Sequence, residues 1–207
     1  MKWPRMSYSQ MGEDLVIENN LGFYNLTSSN IKYIDIGCNH PVDSNNTYKF
    51  YEKGSSGIII EPDIAYKDLI SLARPKDKHL ECAVSTENSY ADLYILTAHS
   101  LNTLSKYHAD LACESPGYGN QKIENKVKVQ TRTINSIMEE FGCPNLISID
   151  VEGLDFDILK SIDFSKYYPE IICIEANFNR DQILSFINDK YRILCDNTLN
   201  LILGKLK

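Results

Sequence analysis

Short runs rich in β-branched residues alternate along the chain with stretches of mixed apolar and charged residues. Ile31 to Ile36, Gly57 to Ile60, Leu146 to Ile149 and Ile171 to Ile174 read as largely apolar runs, the pattern of strands covered on both faces. Between them, Asn45 to Lys53, Ile64 to Leu72, Thr133 to Phe141 and Leu154 to Ile162 have lengths and compositions suited to helices. This alternation predicts an α/β fold, a mostly parallel sheet flanked by helices. Tyr191 to Cys195, then Asn197, then Leu199 to Leu203 predict a hairpin that adds an antiparallel C-terminal edge strand. Ser9 to Asn19 predicts an amphipathic helix packed over the ligand edge of the sheet or its flank. His99 to Asn125 is polar and without clear period, with Pro116, Gly117 and Gly119, and reads as a long loop or lid with one helical turn; such loops are usually functional or mobile.

At 207 residues with 43% hydrophobic content, the chain can bury one good core and is short for two, so residues 1–207 are expected to form one domain. Residues 1–30 would be its N-terminal helical segment, and 97–126 a substrate loop or lid. A net charge of −7 argues against a grip on nucleic acid, which relies on clustered Lys and Arg. The small cluster of Lys122, Lys126 and Lys128 reads as a solvated strand or loop face. No secretory leader and no apolar run of membrane-spanning length is seen, so a soluble, cytoplasmic protein without stable membrane insertion is expected. The six cysteines, Cys38, Cys82, Cys113, Cys143, Cys173 and Cys195, form no C-x-x-C pair and read as reduced, mostly buried small hydrophobes.

The chemistry gathers at the strand ends. Tyr33-Ile-Asp-Ile-Gly-Cys-Asn-His-Pro puts Asp35, Gly37 and Asn39 where the first strand stops, the edge at which open α/β sheets bind ligands. Gly37 permits a tight turn and close ligand approach, and Asp35 offers a carboxylate suited to a cationic amino group. Asn39 and Val42 stand where G-x-G-x-x-G would have its second and third glycines, so the pyrophosphate cradle is missing and a cofactor without a pyrophosphate fits better. About 25 residues further on, where ribose recognition is expected, Gly57-Ile-Ile-Ile-Glu-Pro-Asp ends a strand on Glu61, with Pro62 stopping it. Glu61 can accept both hydrogen bonds of a ribose diol.

Two further strands end in acids: Asp150 with Glu152, and Glu175 with Asn177. Side chains converging there would suit Mg²⁺ or Mn²⁺, with Asp150, Glu175 and Asn177 as ligands, or one raised-pKa general base. Asp150 and Glu152 are the leading candidates for the base and His40 the third. Glu152 as a helix cap and His40 as a structural residue are the competing readings.

Together these segments resemble the FkbM family of S-adenosylmethionine-dependent methyltransferases. The matching pieces are Tyr8-Ser-Gln-Met-Gly-Glu-Asp-Leu, Tyr33 to Pro41 with Asn46-Thr47, Gly57 to Asp63, Thr131-Arg-Thr-Ile and Ser148-Ile-Asp-Val-Glu-Gly, in family order across most of the chain. The resemblance implies a class I, Rossmann-like methyltransferase and O-methyl transfer from S-adenosyl-L-methionine to a small molecule or glycan precursor, often a sugar. It also implies that Tyr8 and Gln10 reach the cofactor; Asn46, with Ser44 and Asn45 a capping residue ahead of the next helix, is expected from its place in the sequence to face the ligand too. Cys38 departs mildly from the small residue that often follows the motif glycine, and residues 99–125 match no family pattern, so acceptor selection is expected there. The alternatives are an NAD-dependent oxidoreductase, which should carry the missing glycine-rich turn, and a non-catalytic cofactor-binding protein, against which the acidic cluster counts.

Overall fold

The structure, a computed structural model, describes residues 5–206. Its main sheet has seven strands in the order β3 (Lys78–Leu80), β2 (Ser56–Ile60), β1 (Lys32–Ile36), β7 (Leu146–Ile149), β8 (Ile171–Glu175), β10 (Asn200–Lys205) and β9 (Tyr191–Asp196). β3, β2, β1, β7 and β8 are parallel. Strand order reverses beside β1, with β2 on one side and β7 on the other, creating a switch point at the carboxyl edge. The last strand is antiparallel as expected, but its position is corrected: β10 lies between β8 and β9, and β9 takes the edge.

Alternation within the buried strands divides the core. Ile34 and Ile36 of β1, Ile147 and Ile149 of β7, and Ile172 and Ile174 of β8 face α5 (Ile134–Phe141), α6 (Asp155–Ser161) and α7 (Arg180–Ile187) through Ile137, Ile158 and Ile183. Tyr33, Leu146 and Cys173 point to the opposite face and meet Ile17 of α1 (Glu13–Asn20) and Phe50 of α2 (Tyr48–Glu52). Each such fully buried aliphatic side chain contributes roughly 1.5–3 kcal/mol, so register is tightly specified. The N-terminal helix lies on the flank of the sheet, against β9 and β10.

The segment from His99 to Asn125 is more ordered than its sequence suggests. It contains a 3₁₀ turn at His99–Leu101, helix α4 (Lys106–Glu114), a second 3₁₀ turn at Pro116–Tyr118 and the start of β6 (Ile123–Arg132). β6 pairs with β4 (Ala83–Val84) and β5 (Ser89–Leu96) in a separate three-stranded sheet. Ser105 caps α4, accepting the His108 amide at 3.3 Å. All six cysteines are free; Cys38, Cys82 and Cys173 are buried, whereas Cys143 is exposed. Among the described residues, no helix is long and apolar enough to cross a membrane.

Candidate functional site

A cavity of about 280 Å³ opens at the carboxyl edge around the switch point. Gln10, Gly37, Asn39, Glu61, Pro62, Asp150 and Glu152, all singled out from sequence, line it. Sheet order spreads them: Glu61 follows β2, Gly37 follows β1, and Asp150 follows β7. Cys82, Ala83, Val84, Leu101 and Leu104 supply apolar wall.

Close packing makes the β1 turn. Gly37 has φ 76°, and its amide and that of Cys38 both donate to the Ile60 carbonyl, at 3.0 and 3.2 Å. Asn39 next to it also adopts a left-handed conformation, φ 51°, and its amide donates to Glu61 Oε2 at 2.7 Å. The Asp63 amide donates to Glu61 Oε1 at 2.8 Å. Glu61 is buried, and loss of hydration raises its pKa to about 7 despite these two donors, with Asp63 and Asp35 adding repulsion. Each carboxylate oxygen retains a lone pair for a ligand hydroxyl.

Asp35 is not among the lining residues. It shares a sheet face with Tyr33, toward α2, and its Oδ2 accepts from Thr47 Oγ1 at 2.7 Å and Asn45 Nδ2 at 3.0 Å. The buried Arg74 guanidinium lies 3.8 Å away. Burial raises the Asp35 pKa and Arg74 opposes that shift. Asn46, from the same segment, donates to Ser148 Oγ at 3.1 Å beneath the sheet edge. Tyr8 is also outside the lining: its hydroxyl donates to Glu52 at 2.7 Å, and its carbonyl accepts the Asn45 amide at 2.9 Å. It anchors the segment that carries Gln10.

His40 is not among the lining residues. Its Nδ1 accepts the backbone amides of Asp43 at 2.8 Å and Val42 at 3.2 Å, so it braces a turn.

On the far side of β1, acids crowd together. Asp150, Asp155 and Glu175 each place an oxygen within 4.8 Å of the others. Glu152, held left-handed at φ 57°, carries a fourth carboxyl on the cavity wall. Burial is the main cause raising the pKa of all four, and their mutual repulsion raises those of Asp150, Glu152 and Glu175 further; no cation is among the causes. Asn177, expected as a ligand, instead donates its amide to Glu175 Oε1 at 2.6 Å; Asp155 takes its place in the cluster. The segment after β5 covers this end: Thr103 donates to the Glu152 carbonyl at 2.8 Å, and His108 of α4 packs directly on Gly153 and against Phe178.

Sequence reasoning missed a second group at the other end. Asp63 Oδ2 accepts from His99 Nδ1 at 2.5 Å and from Asn102 Nδ2 at 2.8 Å, fastening the cavity wall to the residue two beyond Glu61. The partners lie 36 and 39 positions apart, so no local spacing signals them. Asp155 was more legible, as an acid in the first turn of a helix after a glycine.

The model of the methyltransferase FkbM domain matches residues 35–198. Among solved structures, the chain is similar to a protein described as "Putative methyltransferase yhhF from Escherichia coli", with a TM-score of 0.47 and 9% identity over 100% of this chain and 90% of that one. No curated protein sequence matches. With the family pattern running from the end of β1 to the turn before β10, the chain belongs to the FkbM methyltransferase family.

Proposed function

We propose that the protein transfers a methyl group from S-adenosyl-L-methionine to a hydroxyl of a small molecule or glycan precursor, such as a sugar. The observation that carries this reading is the single cavity with the Glu61 carboxylate on one side of β1 and Asp150 and Glu152 on the other. The donor set suits the cofactor. Glu61 accepts from a ribose diol, while Pro62, Cys82, Ala83 and Val84 offer an apolar slot for a purine. Gln10, Asn39 and Ser44 supply polar contacts along the lining. The β1 turn provides no pyrophosphate cradle, and none is needed.

Bound S-adenosylmethionine supplies a methyl group activated by a sulfonium, open to in-line displacement. The chain's own contribution is alignment, exclusion of water and handling of the proton. Asp150 and Glu152 face the acceptor end. With the cofactor and an acceptor bound, one of these carboxylates would take the proton that the acceptor hydroxyl loses as it is methylated. Residues 97–126 reach this end through Thr103 and His108 and are the proposed determinant of acceptor choice.

Calorimetry tests the cofactor half of the proposal. S-adenosylhomocysteine should bind and NAD should not; tight NAD binding with no S-adenosylhomocysteine binding would replace this reading with the oxidoreductase one. Screening sugar and other hydroxyl acceptors with methyl-labelled cofactor tests the other half. Transfer only to nitrogen or carbon acceptors would remove the hydroxyl assignment.

A further inference from the structure

We propose that Asp150, Asp155 and Glu175 form a site for a divalent cation, Mg²⁺ or Mn²⁺, at the acceptor end of the cavity. Two independent observations meet there. One is geometric: an oxygen from each residue lies within 4.8 Å of the other two. Oxygens held about 2.0–2.1 Å from Mg²⁺ stand no more than about 4.2 Å apart, so an ion would need at most a small closure of these three carboxylates. The other is an orphan: Glu175 Oε2 is enclosed by protein yet has no hydrogen-bond partner, and the residue is 8% exposed. An enclosed carboxylate oxygen without a partner is costly, and an ion bound there would supply the partner.

The surroundings hold these oxygens in place. Asn177 fixes Glu175 through Oε1 at 2.6 Å, leaving Oε2 as the free position. Asp155 accepts the Val151 and Gly153 amides, both at 2.9 Å, so its carboxylate is preset before any ion arrives. Asp150 lines the cavity, which leaves the open side of the ion facing the acceptor. Oxygen donors alone, without His or Cys, suit hard cations over zinc or copper. Among the described residues, no ion pair includes Asp150, Asp155 or Glu175. Such an ion would bind the acceptor hydroxyl and lower its pKa.

Only the ion's role in transfer rests on the methyltransfer reading; the site itself is tested separately. Metal-free protein is titrated with Mn²⁺ and followed by electron paramagnetic resonance, without cofactor. The expected result is one saturable site, with affinity about 10-fold or more weaker in Glu175→Gln. Asp150→Asn is the second variant, and circular dichroism checks that each is folded. The idea is overturned if wild-type protein shows no saturable Mn²⁺ binding below about 1 mM, or if both folded variants bind as wild type does. It is also overturned if Glu175→Gln weakens S-adenosylhomocysteine binding in metal-free protein, for then the cluster holds the cofactor's ammonium. Failure of wild-type protein to bind S-adenosylhomocysteine would sink the proposed function and leave the Mn²⁺ result readable.

Discussion

A methyl group built on Gly37 would lie 1.8 Å from the carbonyl oxygen of Asp150. The end of β1 therefore touches the backbone leaving β7, and the two halves of the cavity are fixed to one another through a position only glycine can fill.

Gly37→Ala should accordingly be severe. It combines a backbone clash with a left-handed φ of 76°, together about 2–5 kcal/mol. Gly12→Ala is the control: φ is 84°, but nothing lies within 4 Å, so only the conformational cost of about 1–2 kcal/mol applies. Denaturant melts of both variants decide, and equal losses would contradict the contact.

Arg74 and Asp35 predict a stability effect without a direct cofactor effect. Arg74 donates to Asp77 at 2.8 Å and Thr47 at 2.9 Å inside the protein. Arg74→Met strands the Asp35 and Asp77 carboxylates and should cost about 3–5 kcal/mol, a fall in melting temperature of roughly 6–20 °C. S-adenosylhomocysteine affinity of the remaining folded protein, measured at low temperature, should stay within about 3-fold of wild type. A larger loss with intact stability would return Asp35 to the binding site.

Glu61 makes binding depend on pH. Its folded pKa, about 7, lies above the ordinary glutamate value of 4.5, so between these values the native state holds the extra proton. The contribution of Glu61 to stability is therefore present below pH 4.5 and lost as pH rises toward 7. Ligand affinity runs the other way, because a ribose diol donates to the ionised form. Acidifying from pH 8 to 6 should weaken S-adenosylhomocysteine binding, approaching about 10-fold per pH unit below the pKa. Glu61→Gln should bind more weakly and lose this slope; a slope unchanged in the variant would assign it to another group.

The link from Asp63 to His99 and Asn102 should hold the cavity wall in place. Asp63→Ala removes both hydrogen bonds, and amide exchange over residues 98–104 should quicken. S-adenosylhomocysteine affinity should fall about 10-fold, the size expected from losing one charge-assisted bond's worth of order. Unchanged exchange would mean the wall is held by the 3₁₀ turn alone.

The parts of this protein legible in sequence are those set by neighbouring residues. Ile34, Ile36, Ile147 and Ile174 mark strands because they recur at every second position on one fully buried face and are flanked by residues that are buried too. A strand's last residue then fixes where Glu61 and Asp150 emerge, and both line the cavity. β5 and α4 escaped notice because their outer positions are polar and their apolar contacts, such as Leu96 with Ala109, are made to each other.

Tertiary structure alone decided which way Asp35 faces, which residue holds His99, and that Asp155 joins Asp150 and Glu175 while Asn177 hydrogen-bonds Glu175. Asp35 and Ser148 are register partners on one face of the sheet, and the Asn45–Thr47 segment closes over that face. No local pattern encodes this, since a carboxylate at a strand end goes to whichever donors the packed helices bring within reach. Sequence sets where a side chain leaves the backbone; the chain returning from a distance sets what it meets.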